Sequence, residues 1–374
     1  LAGMYLSYRW QLPAADKRTW IAVLMAYCFA ASILPVWLLL QPRDYLSSYL
    51  LYAAIAIGLG GIFFGGHAVT WPAFKAFSDP AIGGMFPFLF ITIACGAISG
   101  FHALVSSGTS AKQVRRESDS LFVGYGSMLV EGALATIVII AVAAGIGLGY
   151  TRSSGEFLSG VPAWSNLYSS WAAAQGMGSK ITAFVDGSAN MIGTLGIPRE
   201  VAVVIMGVFV ASFAGTTLDT ATRIQRYVVT ELFAGMRVPG FENRYVATAF
   251  AVITAAILAF ASGADGQGAL SLWPLFGAVN QTLAALALII VTVYLRRQGG
   301  WKWLFAGIPA VFMSVITIWA TVLNQIDYGA SHNVLLQIIN AVILLIVLWI
   351  TIEGLRAFFA PPATTIATEQ TKTT

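Results

Sequence analysis

LFVGYGSMLVEGALATIVIIAVAAGIGLG, residues 121–149, is an apolar run that holds one carboxylate, Glu131, well inside it. A helix needs about 20 residues to cross the ~30 Å hydrocarbon core of a bilayer, and this run has them. An ionised, unpaired Glu at that depth costs about 3 kcal/mol. Working outward, apolar runs between charged or Pro/Gly breaks predict nine such spans. They lie at 20–40, 46–64, 81–101, 121–149, 198–217, 246–262, 270–295, 303–323 and 334–358. Nothing between them is large enough for a soluble domain, so the pattern predicts an all-α, polytopic transmembrane helix bundle over residues 1–360.

Composition agrees. Hydrophobic residues make up 58% of the 374 and charged residues 10%, against about 25% charge in soluble domains. The lipid bilayer is therefore the first expected partner. The net charge of +4 is spread over short loops, which reads as membrane orientation and not as nucleic-acid binding, where Lys and Arg gather on one face. Cys28 and Cys95 both fall inside apolar runs, and neither a disulfide nor a metal site is expected from them. The chain begins at Leu1 with no signal peptide in view, so an upstream portion is expected. The polar, Thr-rich stretch 361–374 is expected to be a disordered C-terminal tail.

Lys and Arg set the orientation. Lys112, Arg115 and Arg116 share one loop, Arg223, Arg226, Arg237 and Arg244 a second segment, and Arg296, Arg297 and Lys302 a third. The loops around Asp265 and Asp327 have no basic residue. Alternation then puts the C-terminus in the cytoplasm and segment 150–197 outside, with a short helix or re-entrant piece expected at 179–195. The first two spans fit less well, since this count puts Arg9, Lys17 and Arg18 outside and only Arg43 inside.

Four places carry polar chemistry. In GAISGFHALVSSGTS, 96–110, an apolar span ends among Gly, Ser, Thr and His. Transporters break helices in this way so that freed backbone groups and hydroxyls meet an ion or carboxylate. Gly100, Ser106, Ser107, Gly108 and Thr109 are candidates for such a break, with His102 as a proton-exchanging group. The alternative is an ordinary helix end, with Gly96 and Gly100 permitting close packing. Glu131 is the second place, either a proton carrier or a carboxylate kept protonated by burial. The third is SLWPLFGAVNQT, 271–282, where Pro274 and Gly277 precede Asn280 and Gln281; the amides either bind a polar solute or bridge helices. The fourth is TTLDTATR, 216–223, where Thr216, Thr217 and Asp219 suggest a cation site. Beyond it, Leu218, Ala221, Ile224, Val228 and Leu232 fall on one helical face, and Asp219, Arg223, Arg226 and Thr230 on another. That pattern predicts an amphipathic helix on the cytoplasmic surface, with Asp219 and Arg223 paired at i,i+4. Gly207, Ala211 and Gly215 predict a smooth helix-packing face, and Gln337 and Asn340 interhelical bridges. No Walker loop, GxGxxG, HExxH or GxSxG is present, so no enzyme is expected.

Several of these runs resemble the carbon starvation protein A family of bacterial inner-membrane transporters. They are LPVWLLLQPRDYLSSYL (34–50), FPFLFITIACGAISGFHALVSSGTSAKQ (86–113), ESDSLFVGYGSMLVEGALA (117–135), GTTLDTATRIQRYVVTEL (215–232) and LWPLFGAVNQTLAALAL (272–288). The resemblance implies uptake of small nutrients, peptides or pyruvate, across the inner membrane during carbon limitation. It implies coupling to a proton or sodium ion, no other cofactor, and kinship with secondary transporters built from inverted repeats. It also gives weight to His102, the 106–109 turn, Glu131 and the 216–223 run. Family members carry an N-terminal portion that this sequence lacks. The competing reading is a membrane-embedded sensor or structural subunit.

Overall fold

The computed structural model describes residues 16–65, 68–69, 77–79, 83–152, 155–169, 177–261, 263, 266, 268 and 272–360. The 361–374 tail lies outside them. The chain forms two compact units, Leu1–Lys75 with Gln113–Gly268, and Ala76–Lys112 with Ala269–Thr374.

The first unit contains α1 (Lys17–Ile33), α2 (Leu40–Gly65), α5 (Asp119–Leu148), α6 (Val161–Leu167), α7 (Met177–Gly193), α8 (Arg199–Gly235) and α9 (Arg244–Phe260). Its core is Ala189, Ile192, Ala202, Met206 and Phe209 from α7 and α8, packed by Leu50, Ala54 and Ile57 of α2 and Leu134 of α5. Where α5 meets α7 the backbones touch: a Cβ on Gly145 would strike the Gly187 carbonyl, and one on Gly187 the Ala141 carbonyl. Small residues allow this approach, which is how helices gain contact where lipid offers no hydrophobic drive.

The second unit contains α3 (Phe90–Ala97), α4 (Gly100–Val105), α10 (Trp273–Arg297), α11 (Trp303–Ala330) and α12 (Val334–Phe359). Ile91 packs on Ile316 and Ala320 of α11, and Leu275, Tyr328 and Leu336 join α10, α11 and α12. Asn340 of α12 donates to the Thr321 carbonyl at 2.9 Å and to Gln325 at 2.8 Å, the bridging its sequence position predicts. Two short hairpins, β1 (Ser78–Asp79) with β2 (Gly83–Gly84) and β3 (Tyr150–Thr151) with β4 (Phe157–Leu158), are antiparallel.

Seven helical stretches among the described residues are long and apolar enough to cross a membrane, α3 and α4 counting with their flanks as one, Met85–Ser110, and the protein is a multi-pass membrane protein. The nine expected spans include two that are shorter, α1 and α9, at 17 residues each. For α1 the reason is Pro35, which holds Leu34 extended and ends the helix while the apolar run continues to residue 40. For α9 it is the Gly-rich exit, with Gly263 at a positive φ of 151°. The helix expected at 179–195 is α7. Pro274 sits in the first turn of α10, where its missing N–H has no intrahelical partner to lose. It therefore starts a helix and unwinds nothing.

Candidate functional site

The hydroxyl-rich run 216–223 does not interrupt its helix. Thr216 donates to the Ser212 carbonyl at 3.0 Å, Thr217 to Phe213 at 3.1 Å and Thr222 to Leu218 at 2.9 Å. Hydroxyls bonded back to the carbonyl four residues earlier are compatible with a helix, and α8 runs on for 37 residues. It carries Asp219, Arg223 and Arg226 on one face, and that face is the buried one, at 0%, 3% and 8% exposure. The amphipathic expectation for 216–234 is thus corrected: Val228 and Leu232, on its apolar face, are about half exposed. The polar face is inside because it has partners there.

Those partners come from α1 and α2. Arg43, in the first turn of α2, grips the Asp219 carboxylate with both terminal nitrogens. It also reaches the Tyr27 hydroxyl at 2.6 Å and Asp44 at 2.9 Å. Tyr27 of α1 donates to Asp219 at 2.8 Å. Three helices are therefore tied at one charge-assisted centre. The expected Asp219–Arg223 pair is not made. Arg223 donates instead to the carbonyls of Ala31 and Leu34 at 2.6 and 2.9 Å, and Arg226 to Ser32 at 2.6 Å. The last turn of α1 leaves its carbonyls without helical donors, and cations are favoured at that negative end.

Glu131 stands on α5 with its side chain exposed. Thr216 and Thr217 turn their hydroxyls to their own helix, and only Thr220 approaches Asp219, at 3.4 Å. Gly207 and Gly215 have open space where a Cβ would stand, so no described residue packs on that expected face.

In the second unit a helix does break, slightly before the expected place. Ser99 is extended (φ −133°, ψ 132°) between α3 and α4. Its hydroxyl caps α4 by accepting the His102 amide at 3.4 Å. Asn280 of α10 holds the break: its carbonyl oxygen accepts the Phe101 amide at 2.8 Å and the Ser99 hydroxyl at 3.2 Å, and its amino group reaches Cys95 at 3.3 Å. Gln281, fully buried, donates to the Ile91 carbonyl at 3.1 Å and leaves its own oxygen unpartnered. Gly100 is pressed on α10, where an added Cβ would overlap Leu283 and the Asn280 carbonyl. Of the expected solute-facing residues, then, Gly100 and Asn280 meet, and Gln281 reaches Ile91 of α3. His102, Ser106 and Ser107 are exposed on the far side of the break, with Ser107 bonded back to Ala103 at 2.9 Å and Thr109 half-buried. The turn at Ser106–Ser110 widens to i→i+5 spacing without breaking.

Sequence reasoning missed Tyr27, Arg43 and Ser99. An Arg next to an apolar run, with a lone Asp in another span, was the available signal for Arg43, because intramembrane charges pair. Tyr27 and Ser99 had none.

Comparisons with known proteins supply the family. The family model described as "Carbon starvation protein CstA" matches residues 3–320. A peptide transporter CstA of Helicobacter pylori is 34% identical over 91% of this chain and 56% of its own length. A peptide transporter CstA of Escherichia coli is 34% identical over 81% of the chain and 48% of its own length, and the pyruvate/proton symporter BtsT of the same organism 33% over 79% and 49%. The chain spans about half the length of the curated relatives it matches. No solved structure matches. With a family match over most of its length and relatives above 30% identity, the chain belongs to the carbon starvation protein CstA family.

Proposed function

We propose that the protein is part of a secondary active transporter that imports a small nutrient, a peptide or pyruvate, across the bacterial inner membrane during carbon starvation. The cation gradient, proton or sodium, drives it. The observation that carries this reading is the similarity to proteins named for transport, one for peptides and one for pyruvate with protons. The helix broken at Ser99 supports it, since irregular backbone at membrane depth persists only where protein or a water-filled cavity shelters it. In this reading Gly100, Asn280 and Gln281 hold the break, and His102, Ser106, Ser107 and Thr109 line the solute path. Glu131 is the proton carrier, and Asp219, within a turn of Thr216 and Thr217 on α8, is the fixed counter-charge to Arg43.

A second reading, a membrane-embedded sensor or structural subunit, is favoured by one fact: Asn280 and Asp219 are each engaged by protein groups. Proteoliposomes holding the full-length protein separate the two. Labelled pyruvate or a short peptide should accumulate when an inward pH gradient is imposed, and Glu131→Gln should remove the acceleration. Uptake indifferent to the gradient would sink the coupling; no uptake at all would favour the subunit.

A further inference from the structure

Below Asp219 on α8 the balance of charge changes. A cleft of about 380 Å³ opens between the end of α1 and α8, lined by Ile33, Leu34 and Pro35 on one side and Arg223, Arg226 and Tyr227 on the other. Arg244, the first residue of α9, and Glu242 complete its rim. Three arginines thus face one carboxylate. Asp219, the nearest acid on α8, is already taken by Arg43. Among the described residues no ion pair includes Arg223, Arg226 or Arg244.

Arg223 and Arg226 are nearly buried, and one turn apart they repel. Their observed partners are neutral: backbone carbonyls and, for Arg226, the side chain of Tyr227, which it hydrogen-bonds and whose ring lies 4.7 Å away. Among the described residues the buried Arg223 Nε has no acceptor. Buried charges in proteins are paired, because an unpaired one loses its hydration without return. Guanidinium groups present fork-like donors that match a carboxylate.

We propose that this cleft binds the carboxylate end of a small organic anion. The arginines take the charged head, and Ile33, Leu34, Pro35 and the Tyr227 ring cover a short apolar body. The proposal rests on the transport reading, and names the part of the nutrient that is recognised: the carboxylate that pyruvate and a peptide share.

The test is binding to the purified full-length protein in detergent, with pyruvate, alanyl-alanine, alanyl-alanine amide and inorganic phosphate as probes, followed by microscale thermophoresis. Pyruvate or alanyl-alanine should bind, the amide at least tenfold more weakly, and Arg226→Gln should weaken the carboxylate at least tenfold while Arg226→Lys keeps part of it. Arg244→Gln, at an exposed position, should also weaken it and decides the matter if Arg226→Gln does not fold. Carboxylate affinity unchanged in the folded variants would overturn the assignment, as would phosphate binding more tightly than either carboxylate. Uptake by the same proteins in liposomes distinguishes the two levels. Variants with normal affinity and normal uptake sink the cleft alone, whereas a wild-type protein that binds but never transports sinks the transport reading alone.

Discussion

Asp219 has no accessible surface, and Arg43 opposite it keeps only about a fifth of its side chain in contact with the surroundings. Removing one member of a desolvated pair leaves the other charge stranded, which costs about 3–5 kcal/mol. Asp219→Asn and Arg43→Met should therefore each lower stability by about that much, read as a fall in the thermal midpoint of the detergent-solubilised protein. Tyr27→Phe removes one hydrogen bond to the carboxylate and should cost about 1.5–3 kcal/mol. Changes below about 0.5 kcal/mol in all three would mean that the centre is open to water. Arg223 and Arg226 belong to a different kind of site on the same helix face. Asp219 has a charged partner within the protein, whereas the partners observed for Arg223 and Arg226 are carbonyl dipoles and, for Arg226, Tyr227.

At the scale of elements, the join between α3, α4 and α10 makes its own prediction. Gly100 lies so close to α10 that a methyl group would meet backbone atoms of Asn280 and Ala284. Gly100→Ala should force the two apart and cost about 1–3 kcal/mol, as overpacking does, whereas Gly96→Ala, with open space around it, should be neutral. Equal thermal midpoints for the two variants would refute the close contact. These elements also show what was legible in the sequence. Apolar length gave the long helices, because lipid imposes that length directly. Of the residues expected to break the helix, Gly100 lies next to the break at Ser99, whereas Ser106–Thr109 stay helical: Gly and Ser crowding marks a place for caps and φ/ψ freedom without saying which residue uses them. The buried polar face of α8 was not legible. Helical periodicity places Asp219, Arg223 and Arg226 on one side, but only Arg43, Tyr27 and the frayed end of α1, all about 180–200 residues away in sequence, make that side the inner one. The exposure of Glu131 on α5 was not legible either, for depth in an apolar run does not say which way a side chain points.

For the whole molecule, Lys and Arg in short loops bias the orientation in the membrane. The segments with Lys112, Arg115 and Arg116, with Arg237 and Arg244, and with Arg296, Arg297 and Lys302 should all face the cytoplasm, together with the C-terminus. A C-terminal green fluorescent protein fusion should fluoresce and an alkaline phosphatase fusion should be inactive; the reverse pattern would invert the topology. The 37-residue α8 then acquires a mechanical meaning. At 1.5 Å per residue it is about 55 Å long, nearly twice the hydrocarbon thickness of about 30 Å, so much of the rod must stand clear of the acyl chains. A helix without interruption pivots as one piece. Any tilt of its lipid-embedded half is magnified at the far tip, so a small rocking motion would sweep the cytoplasmic end sideways like an oar.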